Sequence, residues 1–339
     1  MKKVFALFII MFVSCLFAGC GKSTSSSTSS PQLPASSTEV AASDISTAPV
    51  DPDSVHPMLF HVTGENGQEG YLFGTIHVGD ERMNTALEKL LPFVDNCDAL
   101  AVEFDIIAFE NQPIAEPTRV LMPFLLTDGS TISDYMPAET YQKAYDLLRE
   151  AKLPASLMKS YNLAMWYQLV EQAALIAKTN YKLDSGMDRS LIQHCYAQKI
   201  EVRDVESAEL QYSILAGFSD ELNLLMIDST LNHLDEYRAS IDALYNAWIN
   251  GDPDEITAVV NEEDENEKDG FSEEEQALLA DFSDKMLTQR NLGMRDRAVE
   301  WLKAGDKVFF AVGAAHLVNE DGLIALLRAA GYTVEQVSY

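Results

Sequence analysis

The chain has 339 residues, 47% of them hydrophobic and 23% charged, which is enough apolar material for one large core or two small ones. Its formal charge of −29 excludes nucleic-acid binding by phosphate neutralisation and adsorption to an anionic lipid surface through a basic patch. Divalent cations, basic peptides and solubility outside the cell suit such a surface better.

The N-terminus reads as an address. Lys2 and Lys3 precede an apolar run from Val4 to Phe17, and Phe17-Ala18-Gly19-Cys20 places small residues before a cysteine. That arrangement resembles the lipobox of bacterial lipoproteins. Residues 1–19 are expected to be a signal peptide, and Cys20 the lipidated residue that anchors the chain to the cell membrane on its extracytoplasmic face. Residues 20–54 continue as a tether rich in Ser, Thr and Pro, and 55–339 form the folded domain. Cys15 leaves with the signal, so Cys97 and Cys195 remain. They are read as buried thiols, although an oxidising compartment would let them pair.

Met58–Val62 and Gly70–Ile76 are expected to form a hairpin around Gly64-Glu65-Asn66-Gly67. Leu87, Leu90, Leu91 and Val94 predict a helix over Asn84–Asp95, and Ala99–Asp105 follows as an apolar strand ending on carboxylates. This βαβ pattern predicts that the strands leading to His77 and Glu103 are parallel neighbours with their ends on one rim.

From about 132 to 290 the chain reads as a large helical insertion. Ser133 and Asp134 are cap candidates for a helix opened by Pro137. Leu157–Ala177 predicts an apolar helix, and another follows Gly186-Met187-Asp188. Lys199–Glu206 reads as a short strand. Helices start at Ala208 and at Asp220, the second running through Leu234 to Trp248. The acidic run Asn261–Glu275 is expected to be a solvated loop, since it lacks the order of a calcium loop. Glu274–Lys303 is helical in two segments, and Asp306–Val312 is a strand. Asn319 or Asp321 caps a helix through Ala330, and Tyr332–Val337 closes the chain as a strand. The fold class is α+β with an α/β-type core: a small mixed sheet built from N- and C-terminal βα segments, carrying the helical insertion.

Two of these strands share a signature. Gly74-Thr75-Ile76-His77 and Gly313-Ala314-Ala315-His316 each follow a buried run, break it with glycine and deliver a histidine three residues on. His56, His61, His194 and His233 lack that context and receive no role. Asp80 and Asp105, close in sequence to His77 and Glu103, are candidates to orient an imidazole or to add a ligand. No Gly-x-Ser-x-Gly elbow supports a serine nucleophile, and no glycine-rich phosphate loop is present.

Gly74-Thr75-Ile76-His77, Glu103 and Ala311–Leu317, with Gly322-Leu323 and Gly331-Tyr332, resemble the TraB/PrgY/GumN family. Leu183–Asp188, Asp204–Ser207, Gln211 and Arg290-Asn291 add to the resemblance, which covers Met58 to Val337. Gly-Met-Asp stands here where that family usually has Gly-Leu-Asp, and Ala315-His316-Leu317 where Gly-His-Leu is common. The family is similar to the animal Tiki proteins, regarded as metal-dependent proteases, and more distantly to erythromycin esterases and haem-binding ChaN-like proteins. The resemblance implies roles for His77, Glu103 and His316, supported by Arg290 and Asn291.

Two imidazoles and a carboxylate are the ligand set of many catalytic metal sites, here for a divalent ion such as manganese, cobalt or zinc. Glu103 serves either as ligand or as general base, and Arg290, with Asn291 beside it, either stabilises an oxyanion or binds a substrate carboxylate. Two functions follow. One is an extracytoplasmic metal-dependent hydrolase acting on a peptide or small extracellular substrate. The other is a non-catalytic lipoprotein that holds a peptide, a metal or haem.

Overall fold

The computed structural model describes residues 51–177, 179, 181–182, 186–268 and 271–339, the side chains of 262–268 excepted. The signal peptide, Cys20 and the tether up to residue 50 lie outside the described residues, as do Leu183, Asp184 and Ser185. At the end of the expected tether, Pro52–Ser54 forms a 3-10 turn whose first residues are capped by the Asp51 carboxylate.

Six strands make one mixed sheet. They are β1 (Leu59–Thr63), β2 (Glu69–Thr75), β3 (Ala99–Val102), β4 (Glu201–Asp204), β5 (Val308–Gly313) and β6 (Thr333–Gln336), in the spatial order β4-β3-β5-β2-β1-β6. β2, β5, β3 and β4 run parallel, and β1 is antiparallel to both β2 and β6. The expected mixed sheet built from both chain ends is therefore present, with one correction: β2 and β3 are not neighbours. β5 lies between them, pairing Thr75 with Gly313 and Val102 with Ala311. Burial explains the order. β5 is buried along nearly its whole length and takes the middle, whereas β4 buries none of its residues and β6 only Val334, and these take the edges. The helical middle also contributes β4 to this sheet, so it is not wholly helical.

Helices α1 (Arg82–Val94), α2 (Ile106–Glu110), α3 (Ala115–Leu121), α4 (Ala138–Glu150) and α5 (Leu163–Ile176) come before β4, as does α6 (Met187–Gln198). After β4 follow α7 (Ala208–Ala216), α8 (Asp220–Asn232), α9 (Leu234–Asn250), α10 (Pro253–Lys268), α11 (Glu273–Ser283), α12 (Gln289–Ala304) and α13 (Leu323–Ala329). Two hydrophobic cores result. One surrounds the sheet and takes in α1, α6 and α12; the other is centred on α5, which is buried on every face. Ile76, Phe104 and Tyr181 pack against both cores, so the ends of β2 and β3 lie at their junction.

Several boundaries differ from the sequence reading for local reasons. α5 starts at Leu163 because the Asn162 side chain caps it, accepting from the Met165 amide at 3.2 Å. The helix expected from Asp220 to Trp248 breaks at His233, whose backbone (φ −133°, ψ 37°) is not helical. The acidic run is helical through Lys268 rather than a loop, since Glu and Lys are good helix formers and Asp254 and Glu255 favour its first turn. Ser272 and Glu275 then form a capping box for α11. Asp134 closes a 3-10 turn with Thr131 instead of capping α4. Neither Asn319 nor Asp321 caps α13. Gly322 stands at that position, and the Asp321 carboxylate accepts from Thr288 Oγ1 at 2.7 Å. Cys97 is half-buried and Cys195 fully buried, both as free thiols.

Candidate functional site

β2 and β5 end side by side, and their glycines make that possible. A Cβ on Gly74 would sit 2.7 Å from Met58 Cε and 3.0 Å from Ala314 Cα, so only a bare backbone lets β2 close against the turn after β5. The Gly74 carbonyl accepts a 2.7 Å bond from the buried Trp248 Nε1. Gly186 works similarly at the start of α6, where a Cβ would lie 2.6 Å from the His77 carbonyl oxygen. The close approach lets the Met187 amide donate to the Ile76 carbonyl and brings the Asp188 carboxylate to His77 Nδ1 at 2.8 Å.

After Gly313, a 3-10 turn over Ala314–His316 folds His316 inward until it is buried. Its Nδ1 lies 2.6 Å from Asn291 Oδ1, while Asn291 Nδ2 donates to the Asp321 carbonyl at 2.9 Å. With the amide oriented by that carbonyl, its oxygen faces the ring and Nδ1 must carry the proton. Nε2 is left with its lone pair, 3.9 Å from Glu103 Oε1.

Glu103 follows the last residue of β3 and is held on both oxygens. Oε1 accepts from the Gly313 amide at 2.9 Å; Oε2 accepts from Arg290 Nη2 at 2.6 Å and Gln211 Nε2 at 3.0 Å. Arg290 is buried, and its Nε and Nη2 also donate to Glu206 at 2.7 to 3.1 Å. Its Nη1 donates to the Met286 carbonyl, within a π-helical turn over Asp284–Thr288. Glu206 is brought alongside by the backbone, because its amide donates to the Glu103 carbonyl just past the β3–β4 pairing.

These contacts set the charges. Burial acts to raise the Glu103 pKa, but the Arg290 guanidinium, then His316 and His77, outweigh it and hold the carboxyl well below its usual range. Burial and the neighbouring Arg290 push His316 down to about 3, so its ring is neutral. Burial works against charging His77, yet the charge and hydrogen bond of Asp188, helped by Glu103, lift it to about 9. Arg290 stays firmly protonated, since Glu103 and Glu206 overcome its burial. His77 lies close enough for its charge to act on His316, and the charges of both rings act on Glu103.

The rim thus brings His77, Glu103, His316, Arg290 and Asn291 together, with Gly74 and Gly313 shaping the strand ends. Asp80 and Asp105 are elsewhere. Asp80 is bound by Arg82 and by the Tyr245 hydroxyl, and Asp105 caps α2 and accepts from Tyr196. The orienting partners are Asp188 and Asn291 instead. Arg290 donates to both Glu103 and Glu206 and acts as a strut between them. Glu206 and Gln211, which the sequence reading named only as part of the family resemblance, anchor Glu103. The signal for Glu206 was its position two residues beyond the strand that pairs with β3.

Among the described residues, no group of three or more His, Cys, Asp or Glu side chains is arranged to hold a metal ion. The chemistry of the donors suits one nonetheless. His316 Nε2 lies 3.9 Å from Glu103 Oε1, and both rings are hydrogen-bonded through Nδ1, as in metal-ligating histidines.

The profile of the TraB/PrgY/gumN family matches residues 58–336, which include every rim residue described above. Two proteins described as "Uncharacterized protein YbaP", from Shigella flexneri and from Escherichia coli (strain K12), are each 27% identical to the chain over 272 residues. In both cases the alignment covers 79% of this chain and 90% of the relative. No solved structure matches.

Proposed function

The chain belongs to the TraB/PrgY/gumN family, and from that premise we propose that it is an extracytoplasmic, lipid-anchored, metal-dependent hydrolase with a peptidase-like action. Its substrate is a peptide or small extracellular molecule, and Cys20 provides the anchor. The observation that carries this reading is the 3.9 Å separation of His316 Nε2 and Glu103 Oε1, with His77, held by Asp188, near enough for its charge to act on Glu103.

A general base works best with a pKa near the operating pH, and both His316 and Glu103 lie far below neutrality. They are poor bases but good ligands, because each keeps its lone pairs unprotonated at pH 7. His77, Glu103 and His316 would hold a divalent ion (manganese, cobalt or zinc), which when bound supplies Lewis acidity and an acidified water. Asn291 keeps the His316 proton on Nδ1, away from the ligand face. Arg290, Gln211 and the Gly313 amide keep Glu103 ionised and fixed. Asp188 orients His77, and taking up the ion requires His77 to release the proton that Asp188 favours.

The test is cleavage of a mixed peptide pool by the full chain in detergent, with manganese, cobalt or zinc added to chelator-treated protein. The expected result is turnover that needs the ion and is lost in His77→Ala and His316→Ala while circular dichroism stays unchanged. Metal uptake with no turnover under any ion would instead identify a binding lipoprotein.

A further inference from the structure

The Glu206–Arg290 pair also lines a cleft of about 540 Å³, a volume in the range of ordinary ligand sites, which the residues assigned so far leave unused. Val205 and α7 form one wall through Leu210 and Ile214. The other wall is the π-helical turn and α12, from which Lys285, Gln289, Gly293 and Arg297 recur every four residues on one face.

Gly293 is the telling position. It sits inside α12, where glycine weakens a helix by about 1 kcal/mol relative to alanine. Yet no atom lies within 4 Å of the Cβ that alanine would add. Packing therefore does not demand glycine here, and its effect is to leave bare helix backbone facing the cleft. Across from it, Leu210 is 44% exposed, an apolar side chain with nothing over it. The adjoining π-helical turn is a kind of irregularity found frequently at functional sites.

The lining also narrows the ligand. No aromatic ring is among the described residues that line the cleft, so it offers no platform for stacking a sugar or base. Its cations Lys285 and Arg297 pair with Asp281 at 2.7 Å and Glu300 at 3.0 Å, and Glu206, Asp296 and Glu300 put carboxylates on the lining, so a phosphate is disfavoured. An extended polypeptide fits: one apolar side chain over Gly293 against Leu210 and Ile214, with its amides met by Gln289 and the rim. We infer that this cleft docks an unfolded stretch of polypeptide and is the substrate-holding groove of the hydrolase. The second half of that statement rests on the function proposed above.

The test reads docking without turnover. Fluorescein-labelled, reduced and carboxamidomethylated ribonuclease A is titrated with the full chain carrying His316→Ala, at about 0.3 M salt to screen surface attraction. Binding is followed by anisotropy. Gly293→Phe and Leu210→Lys should each raise the Kd by about tenfold or more. Variants are compared when their near-UV spectra match the parent, and the exposed Leu210 supplies such a variant even if phenylalanine is not tolerated. Binding that is absent in the parent, or unchanged in the folded cleft variants, overturns the inference. Chains with His316 intact separate the two readings. Docking lost with the cleft but no cleavage sinks the hydrolase and leaves the groove; cleavage indifferent to both cleft variants sinks the groove and leaves the hydrolase.

Discussion

Glu171 gives the sharpest test of the electrostatics. It lies on α5, 1% exposed, and accepts from Thr230 Oγ1 at 2.6 Å and the Tyr237 hydroxyl at 2.8 Å. Burial raises its pKa from 4.5 to about 7, against the pull of those two donors. The folded chain therefore keeps this proton to about pH 7, while the unfolded chain loses it near 4.5. The resulting stabilisation is fully present below pH 4.5 and is lost as the pH rises through 7, a change of about 3 kcal/mol. Glu171→Gln keeps a neutral acceptor of the same shape and removes the titration. Urea unfolding followed by circular dichroism should find wild type and variant within about 1 kcal/mol of each other at pH 4.5, and the variant more stable by about 3 kcal/mol at pH 8. A difference that does not change between those two pH values would refute the reasoning.

Two further expectations concern the rim. Arg290→Met leaves Glu103 and Glu206 buried without their shared cation, so unfolding should become easier by about 3–5 kcal/mol in urea, and affinity for the divalent ion should fall with it. Asn291→Asp puts a carboxylate against His316 Nδ1, which should raise that imidazole's pKa. Its NMR titration should then move upward from about 3 by at least ~1 unit, and a midpoint that stays put would show the pair is not hydrogen-bonded as described.

Much of the fold was legible locally. The hairpin of β1 and β2 carried its own turn chemistry, α1 its apolar stripe, and β5 its unbroken apolar run. The order of the sheet was not legible, because nothing near β2 or β3 in the chain says that a strand more than 200 positions on will sit between them. That insertion helps the site, since it brings the end of β5 between the other two. The paired Gly-x-x-His motifs found both histidines, but sequence proximity misled about their partners. Asp80 is three residues from His77 and turns to Arg82, while Asp188 is 111 residues away and reaches the ring. The resemblance singled out Glu206 and Gln211, but not what they touch: their contacts around Glu103 depend on the β3–β4 pairing, which no short window contains. The acidic run shows the opposite failure, in which net charge suggested a loop and the helix propensity of Glu prevailed.

The position of β5 has a further consequence for how the molecule is made. Its central strand begins at Val308, so everything up to that residue must exist before the sheet can close. Until then the facing edges of β2 and β3 have no mate, and an apolar gap stays open in the growing chain. The sheet thus closes only after β5 has been made, and a stop codon shortly before residue 308 removes the keystone of the sheet.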